Sequence, residues 1–319
     1  VSNYNITDQT STTADISAKS LTATATASNK TYNATNSASV TLTLSGLVGS
    51  ETLGSTNTST FNNKNVGTGK TVTVNSITLA DGSGLAANYS ISAGQTTTAN
   101  ITAKSLTVSG ITASNKTYDG STNVTLTGTA VYNGLVSGDT FDGTYTGAFS
   151  DKNAGVGKTV TITSSYSGAD VSNYSVTDQS STTANITAKS LTVSGITASD
   201  KIYDGSTSAT LDPSLVVYNG LVTGDTFNGT YTGVFSNANV GTGKTVTITP
   251  SYSGADVNNY SVTDQSSTTA SITAKALTAT ASASNKTYDG GTTASTTLTF
   301  TGLVGSETLG QTVGSTFDN

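Results

Sequence analysis

Residues 114–122 read SNKTYDGST, with a lysine, a tyrosine and an aspartate inside four positions and a glycine closing the set. Such a stretch is either an active-site loop or a turn, and the choice decides the fold. Asp-Gly is turn chemistry: the aspartate side chain accepts from its own backbone, and glycine takes a positive φ without a Cβ clash. Read this way, Asp119-Gly120 reverses the chain between two strands, with Tyr118 buried beside the turn and its hydroxyl at the edge. Three kindred stretches support the turn: SNKTYNATN from Ser28, SDKIYDGST from Ser199 and SNKTYDGGT from Ser284. The first gives up both Asp and Gly yet keeps Tyr32, which suits packing and would be odd for a catalytic aspartate. The residues expected to hold the turns are therefore Tyr32, Tyr118, Tyr203 and Tyr288, with Gly120 supplying the reversal.

Working outward, the same period governs the whole chain of 319 residues. The tetrapeptide ITAK, or close variants of it, ends at Lys19, Lys104, Lys189 and Lys275, which gives spacings of 85, 85 and 86. Gly-Leu-Val recurs from Gly46, Gly134, Gly220 and Gly302, and Asn-Tyr recurs at Tyr4, Tyr89, Tyr174 and Tyr260. Complete repeats run 19–103 (repeat one), 104–188 (two) and 189–274 (three), preceded by 1–18, the end of another repeat, and followed by 275–319, the start of a further one. Repeats two and three share KSLTVSGITAS, whereas repeat one and the last partial repeat share GLVGSETLG, so the order of classes is one, two, two, one. A period near 85 exceeds that of solenoid coils, so each repeat is expected to be a small domain with its own core. Neither end closes a repeat, and the expectation is a window on a longer covalent array.

Within repeat two, short apolar alternations are separated by turn residues, which is the pattern of strands. They place Leu106 and Val108, Val124 and Leu126, Tyr145 and Phe149, Val160 and Ile162, Tyr174 and Val176, and Ile186 on inward faces. No helical period is sustained, and only GLVSGD could hold a helical turn. Threonine's β-branch suits a half-buried pleated surface, so the polar composition fits sheets over a thin core. Asp170 and Asp256 each stand four residues before Tyr174 and Tyr260, a spacing like the tyrosine corner of immunoglobulin-like domains; repeat one keeps Tyr89 but has Leu85 for the aspartate. The expected fold is all-β, a tandem of immunoglobulin-like β-sandwich repeats of about 85 residues, with a β-grasp-like sheet as the alternative. At each ITAK-to-strand passage the alternation slips by one residue, so the last strand of one repeat should run into the first of the next without a linker.

Composition removes most chemistry. There is no His, Cys, Met, Trp or Arg, so the common nucleophile–base pairs and the zinc or copper ligand sets are missing, and no catalytic residue, metal or cofactor is expected. A net charge of -6 with scattered lysines argues against nucleic acid, and no apolar run is long enough for membrane insertion. The opening residues do not read as a signal peptide, which fits the expectation of a processed product or a window. Without cysteine the fold does not rely on disulfides, which is compatible with export.

The acids Asp119, Asp139, Asp142, Asp151, Asp170 and Asp178, with Glu51, Asp225 and Glu307 after the other Gly-Leu-Val turns, raise calcium as a minor alternative without matching a ligand loop. Lys104, Lys116 and Lys158 with Asn173 and Asn185 supply the partners of an isopeptide bond; the simpler reading is that lysines keep strand ends soluble.

The stretches KTYDGST, GLVSGDTFDGTYTGAFSDKNAGVGKTVTI and GADVSNYSVTDQSSTTANITAK resemble the YDG-type repeats of large bacterial surface and secreted proteins, including filamentous-haemagglutinin-like adhesins. That resemblance implies an extracellular or bacterial cell-surface β-rich array with no catalytic activity, and it names no ligand. The function expected is a stiff shaft, or the building unit of an extracellular filament or matrix, whose partners are like copies of itself. The alternative is a multivalent adhesin binding a glycan or host cell surface, for which Tyr132, Tyr145, Tyr166, Tyr218, Tyr231 and Tyr252 would be the aromatic platforms.

Overall fold

A computed structural model describes residues 3–318, and the protein is all-β. Its strands gather into two compact units. One comprises the chain up to Ala113 with Val124–Ala148 and Thr159–Thr183; the other comprises Ser114–Asn123, Phe149–Lys158 and the chain from Ala184 onward. These units do not follow the sequence period. Each repeat has a head, which carries its first strand and Gly-Leu-Val loop, and a tail, which carries the tyrosine turn. The first unit contains all of repeat one together with the head of repeat two.

In that first unit the main sheet has five strands in the order Lys30–Thr31, Thr96–Thr102, Gly67–Ala80, Gly54–Phe61 and Ser37–Ala38. Lys30–Thr31 runs parallel to its neighbour and the other pairs are antiparallel. Alternation of Val72 and Val74 with threonines buries one face of Gly67–Ala80, which at 14 residues is longer than its apolar core suggests. A separate hairpin joins Thr22–Ala27 to Val40–Ser45.

Thr96–Thr102 ends one residue before Lys104–Ser109, the first strand of the next head. Buried Ile101 and Leu106 lie an odd number of positions apart, so the slip in alternation falls at this passage as the sequence predicts. Lys104–Ser109 pairs antiparallel with Val131–Asn133 and parallel with Tyr174–Thr177.

One apolar core therefore crosses the repeat boundary. Tyr32, Phe61, Val72, Ala99 and Ile101 of repeat one pack in a single cluster with Leu106, Val108, Ile111, Phe141, Ile162 and Tyr174 of repeat two. This corrects the expectation that each repeat closes a core of its own. The tail of repeat one and the head of repeat two each supply side chains to that cluster, whereas Phe235, Val246, Ala270 and Ile272 cluster within repeat three.

The second unit repeats the scheme. Its five-stranded sheet runs Lys201–Ile202, Ser267–Thr273, Gly241–Ser253, Asn228–Phe235, Ser208–Ala209, and its head sheet is Val217–Asn219, Lys189–Ser194, Tyr260–Thr263. Thr278–Ser284 pairs with Ser295–Thr301 in the last partial repeat. Two local expectations change. The helical turns lie at Ala86–Asn88, Val171–Asn173 and Val257–Asn259, just before the Asn-Tyr tyrosines, and not in Gly-Leu-Val loops. The strand expected through Val124 and Leu126 shrinks to Leu126–Thr127, ended by Gly128 at φ +82.

Candidate functional site: the joint between repeats

The opening stretch is a turn, and each of its residues has a distinct task. Asp119 Oδ1 accepts from Ser121 N at 2.9 Å and from Lys116 Nζ at 2.7 Å, which closes the reversal locally. The Lys116 ammonium beside it holds the Asp119 carboxyl down at about 2. Gly120 adopts φ +78, and a Cβ there would stand 3.0 Å from Val222 Cγ1 in the Gly-Leu-Val loop of repeat three. In repeat one Asn33 Oδ1 does the work of the aspartate, accepting from Thr35 N at 3.2 Å and Lys30 Nζ at 2.9 Å, while Ala34 carries the positive φ of 61°.

The tyrosine points out of its own repeat. Tyr32, only 1% exposed, donates from its hydroxyl to Asp139 Oδ2 at 2.9 Å, a residue of the next head. Tyr174 donates to the same oxygen at 2.5 Å while accepting from Val136 N at 3.0 Å, and the two rings meet edge to face at 5.6 Å. Lys64, from the loop after Gly54–Phe61, then bridges two carboxylates, with its Nζ 2.9 Å from Asp170 Oδ1 and 3.4 Å from Asp139 Oδ1. The single helical turn at Val171–Asn173 explains how the head meets this loop. Asp170 and Asn173 are three apart, hence on one face of the turn, and Asn173 Oδ1 accepts from Val66 N at 3.0 Å.

The electrostatics follow from burial. The Asp139 side chain is 2% exposed, and two phenols and an ammonium satisfy it. Burial, then the bond to Asp139, pushes the Tyr174 hydroxyl up to about 12 and raises Tyr32 as well. Asp170 is lowered by the Thr140 N–H and then by Lys64, and Lys64 is raised by Asp170 and then by Tyr32. The second unit reproduces the set. Tyr118 donates to Asp225 Oδ2 at 2.8 Å and Tyr260 to the same atom at 2.5 Å, while Lys152 lies 3.2 Å from Asp225 and 2.9 Å from Asp256.

Three successive stretches of the chain, residues 17–99, 102–184 and 187–270, each match the YDG domain. The chain belongs to the YDG domain family. No curated protein of assigned function matches it.

In these YDG domains the signature triplet is thus the tail's half of a joint. Tyr203 continues the pattern by donating to Glu307 in the following partial head. Tyr32 and Tyr118, each donating to an acid of the head that follows, are both 1% exposed. The YDG tyrosine is therefore buried against the next repeat. In repeat one Tyr89 donates to Glu51 and accepts from Val48 N at 3.1 Å, the same head geometry with a longer acid.

Other candidates fall into place around the joint. Tyr174 and Tyr260 depart from the tyrosine corner, because their hydroxyls reach a loop 35 residues upstream and not the nearby backbone. Asp170 and Asp256 accept from Thr140 N at 3.0 Å and Thr226 N at 2.9 Å, and so tie the head's two loops together.

Asp142 apart, the acids considered for calcium are engaged by lysine or tyrosine: Asp151 by Lys158, Asp178 by Tyr166, the others as described. Among the described residues no three of His, Cys, Asp and Glu gather as a metal set. For an isopeptide bond, Lys116 and Lys158 bind aspartates, and Asn173 and Asn185 accept backbone N–H groups.

The tyrosines proposed as platforms are half-buried. Tyr132 and Tyr166 flank Phe141 at 5.2 and 5.1 Å, Tyr145 donates to Tyr132, and Tyr218, Tyr231 and Tyr252 repeat this around Phe227.

The lysines at 64 and 152 were the residues that sequence reasoning missed. A signal existed: each stands three positions after the phenylalanine that ends a strand, Phe61 or Phe149.

Proposed function

We propose that the protein is a non-enzymatic structural array, a stiff shaft or filament-building segment of a bacterial surface or secreted protein. The observation that supports this reading is the joint: tyrosine, aspartates and lysine, the residues best able to do chemistry or bind a partner, are all used to fasten one repeat to the next. A fastening made of core packing, a shared carboxylate and an ion bridge resists both bending and rotation, which is what a load-bearing spacer needs. The extracellular or cell-surface setting is part of the same proposal, as is association with like copies. We read the packed sheets as immunoglobulin-like sandwiches, in which the first strand belongs to the head sheet and a later short segment, Lys30–Thr31 in repeat one, runs beside the last strand. The glycan-binding alternative draws no support from the tyrosines, whose rings and hydroxyls are spent internally.

The absence of cysteine makes the test clean. Asn75 and Thr163 are exposed and can be replaced by cysteine and spin-labelled. A narrow distance distribution, unchanged by viscosity, is expected. A broad one, like that of domains on a flexible tether, would contradict the shaft.

A further inference from the structure

Among the described residues there are three joints, and their tails differ at the position that faces the next head's acids. Lys64 and Lys152 occupy it in repeats one and two; in repeat three, Phe235-Ser-Asn-Ala-Asn places Ala238 there. The following heads change in step. Opposite each lysine stand two aspartates, Asp139 with Asp170 and Asp225 with Asp256. Where the tail has alanine, Tyr203 donates to Glu307, in a loop whose sequence GLVGSETLG is identical to residues 46–54 of repeat one.

Repeat one shows how that class of head is built. Its second acid is replaced by Leu85, and the backbone duty that Asp170 performs for Thr140 N passes to Ser83 Oγ, which accepts from Thr52 N at 2.8 Å. In repeat one, then, the joint's second carboxylate is absent and its backbone acceptor is supplied by an uncharged group.

Charge then determines which tail suits which head. One lysine with two aspartates leaves a single negative charge on the cluster, and so does alanine with one glutamate. An alanine tail closed on a two-aspartate head would leave two carboxylates together without a cation, one of them as buried as Asp225 at 3% exposure. Uncompensated burial of that kind is strongly unfavourable. We propose that this tail position is a selector: lysine admits a following repeat of the two-aspartate class, and alanine admits one of the single-glutamate class. The tail of repeat three is thereby kept from closing on the head of repeat two or three, in its own chain or a neighbouring copy, although those heads are otherwise near-identical and available for exchange during folding. This rests on the joint geometry and is independent of the shaft reading.

The test is a charge-coupling cycle at the second joint of the intact chain. Lys152→Ala and Lys152→Met are compared, alone and combined with Asp256→Asn, which removes a charge but keeps the acceptor for Thr226 N. Either lysine variant should lower the melting midpoint by several degrees, and adding Asp256→Asn should recover at least half of that loss. If a lysine variant fails to fold, Asp256→Asn should restore folding. Losses that simply add, a Lys152→Met protein as stable as the parent, or failure of Asp256→Asn to rescue would each overturn the selector.

Discussion

The tyrosine of each turn is a residue whose acceptor lies outside its own repeat. Tyr118 reaches Asp225 across 107 positions, so Tyr118→Phe should cost about 2 kcal/mol, the size of a hydrogen bond to a charged group. Tyr118→Ala should cost about 3–5 kcal/mol through lost packing, and calorimetry on both variants checks the difference. Backbone strain gives a second contrast. Gly120→Ala should destabilise by about 1–2 kcal/mol because φ is +78, whereas Ala34→Gly should stabilise repeat one, since alanine already bears φ 61 there. An Ala34→Gly protein less stable than the parent would count against the strain account. Acid supplies a third contrast. The folded pKa of Asp119, about 2, lies below its usual 3.8, so its contribution is fully present above about pH 4 and fades as pH falls towards 2; Asp204 behaves alike. Melting curves for Asp119→Asn should converge on the parent's in that window. At this scale the turn was legible, because Asp, Gly and positive φ are local facts. The acceptor of the tyrosine was not, because nothing near Tyr118 in sequence encodes a partner so far away.

Strand positions were legible wherever a valine or isoleucine alternates with threonine, as at Val72 and Val74 or Val246 and Ile248. Their ends were not, since Gly67–Ala80 continues through polar residues held by pairing alone. The short turn before Tyr174 was missed because three residues carry no period; its role appears only when Asp170, Asn173 and Tyr174 are seen meeting the tail. That meeting has an alkaline signature. Tyr174 and Tyr260 have folded pKa values of about 12, above the usual 10, so their contribution is fully present below pH 10 and lost as pH rises through 12. Tyr32 and Tyr118 are raised too. The melting midpoint should therefore fall steeply between pH 10 and 12, and the Tyr174→Phe, Tyr260→Phe protein should show a shallower fall; an equal slope would remove the tyrosines as the cause.

Across the chain, the period of 85 and the turn chemistry made the repeats visible, but a repeat in sequence need not be a unit of packing. Here the apolar core of one repeat's tail is completed by the next repeat's head, and the YDG triplet sits where they meet. The most direct measurement is residue-resolved amide hydrogen exchange on the intact chain carrying Tyr32→Ala. If the core crosses the boundary, protection should fall by the same free energy in Thr96–Thr102 of repeat one and in Lys104–Ser109 and Tyr174–Thr177 of repeat two. A loss confined to residues 19–103, with the head strands of repeat two protected as before, would contradict it.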